Sequence, residues 1–146
     1  MNIYLACTVR GDRGALEATR ALSTLLERHG HTVLTKHLLD DDVESVESAL
    51  TERDVFERDM RWLAAADLVV AEASGSSYGV GFEVGYVLGR AGETGQRVLL
   101  LFSAARRTFV SRLITGTSHD RCTTYGYTDA ADLLRFVDHY LAPVTP

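Results

Sequence analysis

Leu68-Val69-Val70-Ala71-Glu72-Ala73-Ser74-Gly75-Ser76-Ser77-Tyr78-Gly79-Val80-Gly81-Phe82-Glu83-Val84-Gly85-Tyr86 is the stretch that decides the fold. Its first four residues are an uninterrupted apolar run, short and rich in valine, as expected of a strand buried on both faces. Phe82 to about Ala91 reads as a helix. A serine pair and two glycines therefore occupy the handover from strand to helix. Such a turn offers free backbone N–H groups and the positive end of the helix dipole, which suits an anionic ligand. This reading puts Glu83 in the first turn of the helix, where the dipole favours its ionised form. An ionised carboxylate can be a nucleophile.

Outward from this stretch, strands and helices alternate. Residues 2–8 read as a first strand. Ala15 to His29 is a helix with Leu16, Ala18, Leu22, Leu25 and Leu26 at helical spacing, ended by Gly30. Residues 31–35 form a second strand. The acidic stretch 36–50, with Asp40, Asp41, Asp42, Glu44 and Glu47, reads as a solvated loop or weak helix. Residues 51–65 form a helix with Val55, Phe56, Met60 and Leu63 on one side. Beyond the central stretch, 97–102 is a strand, 108–114 a helix, 122–127 a fifth strand and 129–141 a closing amphipathic helix, with Pro143 and Pro146 marking a tail. This order predicts an α/β fold: one domain over 1–146, with a doubly wound, five-stranded parallel sheet of Rossmann-like or flavodoxin-like order in three α/β/α layers. Ligands bind such sheets at the carboxyl ends of the strands, beside the switch between the first and third. Thr8, Arg10 and the Ser77–Glu83 turn should then share one crevice.

Composition narrows the function. A net charge of −5 argues against a broad nucleic-acid surface. No apolar run approaches the ~20 residues that span a bilayer, and the N-terminus lacks the pattern of a signal peptide. A cytoplasmic protein with no nucleic-acid and no membrane partner is expected. Cys7 and Cys122 have no metal-ligand spacing and read as reduced thiols. No metal and no cofactor is implied.

The glycines of Gly79-Val80-Gly81-Phe82-Glu83-Val84-Gly85 approach the dinucleotide fingerprint but are one residue too long and follow the third strand rather than the first. They also simply permit a tight turn. Glu83 is either a helix-terminus carboxylate or a functional one. Asp59 shares a helix face with Val55 and Leu63 and is directed toward the sheet. There it is either a buried Asp satisfied by an Arg or a cap, or a carboxyl suited to giving a proton. A nucleophilic carboxylate paired with an acid is the logic of retaining glycoside chemistry. Tyr4, on the first strand, is either core packing or a hydrogen-bonding hydroxyl. Arg10 is either a solvated Arg or a phosphate ligand. His37, Ser111, Arg106 and Arg107 carry no signal of their own.

In this order, several segments resemble the 2'-deoxynucleoside 5'-phosphate N-hydrolases, the Rcl-type relatives of the nucleoside 2-deoxyribosyltransferases. They are Asn2-Ile3-Tyr4 with Val9-Arg10-Gly11, Leu34-Thr35-Lys36-His37, Glu57-Arg58-Asp59 with Trp62-Leu63, Ala65 to Glu72, Ser77 to Gly85, Leu101-Phe102, and Ser111 to Gly116. Asp59 and Glu83 stand 24 residues apart, as in that family.

The resemblance implies a homodimer acting on a nucleotide without a cofactor. It matches Glu83 to the nucleophile that attacks the anomeric carbon, Asp59 to the carboxyl that assists departure of the base, and Tyr4 to the tyrosine that positions the nucleophile. Thr8, Arg10 and Ser77, with the amides of Gly79 and Gly81, fall around the 5'-phosphate, and Gly11 counts among the substrate-binding residues. Ser111 matches a phosphate-binding serine that reaches across from the other subunit, and His37 a residue near the base. This chain departs from the pattern at Thr8, usually Ser, at Cys7, usually Gly, and at Asp12, which replaces a glycine and brings negative charge toward the phosphate. Gly92-Glu93-Thr94-Gly95 is expected as a peripheral loop. The implied reaction is hydrolysis of the N-glycosidic bond of a (deoxy)nucleoside 5'-monophosphate. The alternatives are a nucleoside 2-deoxyribosyltransferase, a CMP-type ribonucleotide hydrolase and a non-catalytic nucleotide-binding module.

Overall fold

The sheet is parallel throughout. The computed structural model describes residues 1–142, so the expected proline tail lies outside the described residues. Strands β1 (Asn2–Ala6), β2 (Thr32–Val33), β3 (Leu68–Glu72), β4 (Arg97–Ser103) and β5 (Cys122–Tyr127) lie in the order β2-β1-β3-β4-β5. This is the doubly wound order, with its switch between β1 and β3. The register Tyr4↔Val69 and Ala6↔Ala71 brings the ends of those two strands level.

Side chains alternate across the sheet, and each face has its own helices. Ile3, Leu5, Leu68, Val70, Leu99 and Leu101 meet α1 (Leu16–Arg28) and α6 (Ala130–Leu141) through Leu22, Leu25, Leu26, Leu133 and Val137. Tyr4, Ala6, Val69, Ala71, Val98 and Leu100 meet α3 (Glu52–Ala65) and α4 (Tyr78–Thr94) through Leu63, Val80, Val84 and Val87. Burial on both faces explains why the strands read as continuous apolar runs. Each buried Val, Leu or Ile side chain among them contributes about 1.5–3 kcal/mol.

Helix α3 carries Asp59, and both its ends are pinned. A reciprocal capping box joins Thr51 and Asp54, with Asp54 N donating to Thr51 Oγ1 at 3.1 Å and Thr51 N donating to Asp54 Oδ2 at 3.0 Å. At the other end, Gln96 Nε2 donates to the carbonyls of Leu63 and Ala66 at 2.7 and 2.8 Å.

The boundaries differ from expectation where side chains replace backbone pairing. Strand β2 keeps only two residues because Thr35 turns inward, its Oγ1 donating to Leu5 O at 2.7 Å and accepting from Leu5 N at 3.0 Å. The acidic stretch yields a short helix, α2 (Val43–Glu47). Helix α4 begins four residues earlier than expected because Ser77 caps it. It then absorbs Gly92-Glu93-Thr94 as its last turn, and Gly95 closes it in the left-handed region at φ 73°. In place of a helix over 108–114, a 3-10 turn at Ala104–Arg106 is followed by α5 (Arg112–Thr115), which starts only where Ser111 can cap it.

Candidate active site

Tyr4 points from β1 to the face covered by α4 and is fully buried. Its hydroxyl donates to Glu83 Oε1 at 2.5 Å. With Ser77 as the cap, Glu83 lies in the second turn of α4 rather than the first. The helix dipole acts mainly within the first turn, so burial decides the state of this carboxyl. Burial pushes Glu83 up to about 7, the Tyr4 hydroxyl pulls it back, and the nearby Asp59 charge raises it. Burial first, and then the Glu83 charge, push the Tyr4 hydroxyl far above its ordinary range, so it remains a donor.

Glu83 and Asp59 open into one cavity of about 540 Å³ at the carboxyl ends of β1 and β3. Arg10, Ser77 and Gly79 line it as well, together with Cys7, Leu38, Glu47, Leu50 and Val55. Two carboxyls from different helices, a serine and an arginine thus converge, although the chain separates them by up to 73 residues.

Asp59 is half-buried and paired. Arg58 Nε donates to its Oδ1 at 2.9 Å, and Arg58 Nη2 lies 2.7 Å from Glu47 Oε1. The guanidinium sits 4.9 Å over Trp62, whose ring is 5.3 Å from His37, and His37 Nε2 is 3.4 Å from Glu47 Oε1. Sequence reading had placed Glu47 on a solvated face, yet its side chain is only 13% exposed. No local signal separates Glu47 from the other acidic residues of 40–47, because its partner Arg58 lies on another helix.

The phosphate candidates divide. Ser77 Oγ accepts from Val80 N at 3.4 Å, and the N–H groups of Tyr78 and Gly79 have no partner among the described residues. Arg10 is exposed at the cavity edge. Thr8 does not line the cavity. Its Oγ1 is buried without a hydrogen-bond partner among the described residues, and it packs on Gly75, where a Cβ would lie 2.2 Å from it. Gly11 supplies a left-handed turn at φ 113° in the same loop, away from the cavity lining. Asp12 is paired with Arg106 and accepts from Gly14 N at 2.9 Å, so its charge is compensated. Gly81 and Ser111 line a neighbouring groove of about 380 Å³ with Tyr78, Val110 and Leu113, and Ser77 is common to both hollows. His37 contacts Glu47, which lines the cavity, and is not itself on the lining.

The turn between β3 and α4 is held from below by a residue that no sequence reading singled out. Glu72 is buried, and burial raises its carboxyl above the usual range. It accepts from Ser74 N at 3.3 Å, from Ser74 Oγ, and from Tyr127 OH at 2.8 Å. Ser74 Oγ in turn accepts from Ser103 N at 2.7 Å. The turn is thereby tied to the ends of β4 and β5. Within it Ser76 takes a positive φ of 53°, held by its hydroxyl on Phe109 O at 2.6 Å. A non-glycine residue in that region stores strain.

Known proteins resemble this chain in sequence and in fold. The model of the nucleoside 2-deoxyribosyltransferase family matches residues 3–130. A protein of Thermofilum pendens, provisionally named 2'-deoxynucleoside 5'-phosphate N-hydrolase 1, is 43% identical over 141 residues, covering 97% of this chain and 95% of that protein. The 5-hydroxymethyl-dUMP N-hydrolase of Danio rerio is 34% identical over 119 residues, covering 81% of this chain and 80% of that protein. Among solved structures, the CMP N-glycosidase of Clostridium botulinum superposes with a TM-score of 0.70 over 97% of this chain and all of that one. At 19% identity this likeness speaks for the fold.

Proposed function

The chain belongs to the nucleoside 2-deoxyribosyltransferase family, and from that premise we propose that it hydrolyses the N-glycosidic bond of (deoxy)nucleoside 5'-monophosphates. The products are free base and (deoxy)ribose 5-phosphate. One observation carries the reading: Glu83, held by Tyr4, shares a cavity with Asp59, Ser77, Gly79 and Arg10.

The 5'-phosphate is taken by the Ser77 hydroxyl, the N–H groups of Tyr78 and Gly79, and Arg10. Binding this group, remote from the reacting carbon, positions the sugar for reaction. Ionised Glu83 attacks C1' as the bond to the base nitrogen breaks. The bonding pair leaves with the base, and Asp59 supplies a proton or hydrogen bond to it. Water then attacks C1' of the glycosyl-enzyme and passes a proton to Asp59, which frees the sugar phosphate and restores the Glu83 carboxylate. Tyr4 keeps its proton and fixes the orientation of Glu83.

A second copy of the chain completes the site in this reading. Around the groove that holds Ser111, Tyr78 and Leu113 are 98% and 86% exposed, and Phe109 is exposed as well. A homodimer would cover that apolar face and bring Ser111 to the neighbouring phosphate. The free thiols Cys7 and Cys122 fit a reducing, cytoplasmic setting.

A nucleoside 2-deoxyribosyltransferase would use the same carboxyls and hand the sugar to a second base. The phosphate-facing Ser77 and Arg10 favour the hydrolase. The test is a panel of deoxyribo- and ribonucleoside monophosphates and unphosphorylated nucleosides, with and without a second base. Free base from monophosphates is expected. No release from any of them overturns the reading, and transfer to added base from unphosphorylated nucleosides moves it to the transferase.

A further inference from the structure

The cavity wall is chemically mixed. Arg10, Ser77 and Gly79 come from the loops that follow β1 and β3, while Leu38, Glu47, Leu50, Val55 and Asp59 come from the 38–59 segment, where apolar side chains alternate with two carboxyls. Glu47 has no part in the reaction as written. Its Oε1 is nonetheless engaged: Arg58 Nη2 forms an ion pair with it at 2.7 Å, and His37 Nε2 lies 3.4 Å away. Arg58 is itself fixed by Asp59 and by the Trp62 ring. Glu47 Oε2 and Asp59 Oδ2 have no hydrogen-bond partner among the described residues. A single guanidinium therefore serves both carboxyl groups, each through one oxygen, and both residues line the cavity. The second oxygen of the Glu47 carboxylate can accept a hydrogen bond from a donor on a bound ligand.

This inference rests on the hydrolase reading. With phosphate at Arg10 and Ser77 and the anomeric carbon at Glu83, the wall that carries Glu47 is left for the base. The apolar side chains flank its ring, and Asp59 meets it near the breaking bond. We propose that Glu47 is a specificity residue that accepts a hydrogen bond from an exocyclic donor on the base. The preferred substrates are then monophosphates whose base carries an exocyclic N–H or O–H. Uracil, which presents only carbonyl oxygens outside its ring, is disfavoured, because those oxygens would face a carboxylate. A site built to bond a substrate donor discriminates strongly against the analogue lacking it.

The experiment compares kcat/KM for dCMP, 5-hydroxymethyl-dUMP and dUMP, in wild type and in Glu47→Gln, which keeps the shape and removes the charge. Wild type is expected to favour a donor-bearing nucleotide over dUMP by tenfold or more. In Glu47→Gln that ratio should shrink at least fivefold, with KM carrying the change. Equal use of all three nucleotides by wild type overturns the proposal. So does a variant that lowers all three by one common factor, the signature of a merely structural role. If no nucleotide is turned over, the hydrolase reading fails on its own. Competition binding of dCMP and dUMP, which needs no turnover, then decides for Glu47, and equal affinities overturn it. Glu47→Asp, which keeps the charge, provides a second variant if Glu47→Gln does not fold, and should retain the preference.

Discussion

The Tyr4 hydroxyl and the Glu83 carboxyl meet at 2.5 Å, joining the middle of a buried strand to the second turn of a helix 79 residues further along the chain. The contact fixes the direction of the carboxyl and moderates the effect of its burial. Burial holds the Glu83 carboxyl up at about 7 despite the tyrosine donor.

The rate should therefore rise with pH through neutrality. A nucleophilic carboxylate must be ionised, so kcat/KM measured on a saturating-phosphate-free buffer series from pH 5 to 9 should climb with an apparent pKa near 7. A profile already flat at pH 5 would show that Glu83 ionises like an exposed glutamate.

Tyr4→Phe removes the donor that favours the ionised form. A hydrogen bond to a charged group is worth about 1.5–3 kcal/mol, so the rising limb should move about 1 to 2 pH higher. At pH 7 kcat/KM should fall on the order of tenfold or more, and much of the loss should be recovered at pH 9. A pH-independent loss would instead assign Tyr4 to packing.

Stability should run the other way. Glu83 titrates near 4.5 when unfolded and about 7 when folded, so folding takes up a proton between those values. Stability is then lost as pH rises from 4.5 to 7, by ~3 kcal/mol when complete. The melting temperature of Glu83→Gln minus that of wild type should increase from pH 4.5 to 8, as read by calorimetry. A difference independent of pH would contradict the assignment.

The groove beside Ser77 leads to a test of assembly. Sedimentation equilibrium should give a dimer for the wild type and a monomer for Leu113→Asp, with little change in melting under monomeric conditions. Ser111→Ala should remain dimeric and raise KM for monophosphates. A monomeric wild type would leave Ser111 with only its capping contact to Leu113 N.

Much of this was legible in the chain. Unbroken apolar runs gave β3 and β4, helical spacing gave α1 and α6, and the order of elements gave the sheet and its switch point. Asp59 stood out as a carboxyl on an inward-facing stripe. What escaped depends on contacts distant in sequence. Glu47 is indistinguishable from its acidic neighbours until Arg58 reaches it. Glu72 looks like the polar end of a strand until Ser74 and Tyr127 close on it. The depth of Glu83 in α4 turned on one capping hydroxyl, and the shortness of β2 on one inward threonine. Thr8 sits in the expected loop, but its side chain is committed to Gly75 rather than to the cavity.

That last pairing limits how the protein can change. Gly75 has room for no side chain, because a Cβ would lie 2.2 Å from Thr8 Oγ1 and 2.4 Å from the Asp12 carbonyl. The first and third loops are interlocked at one point, and neither can be remodelled alone. A bulkier residue at 75 becomes admissible only with a smaller one at 8 and a shifted backbone at 12. Directed evolution of new substrate preference should draw its variation from exposed positions of the 38–55 wall such as Leu50, and find these two loops altered only together.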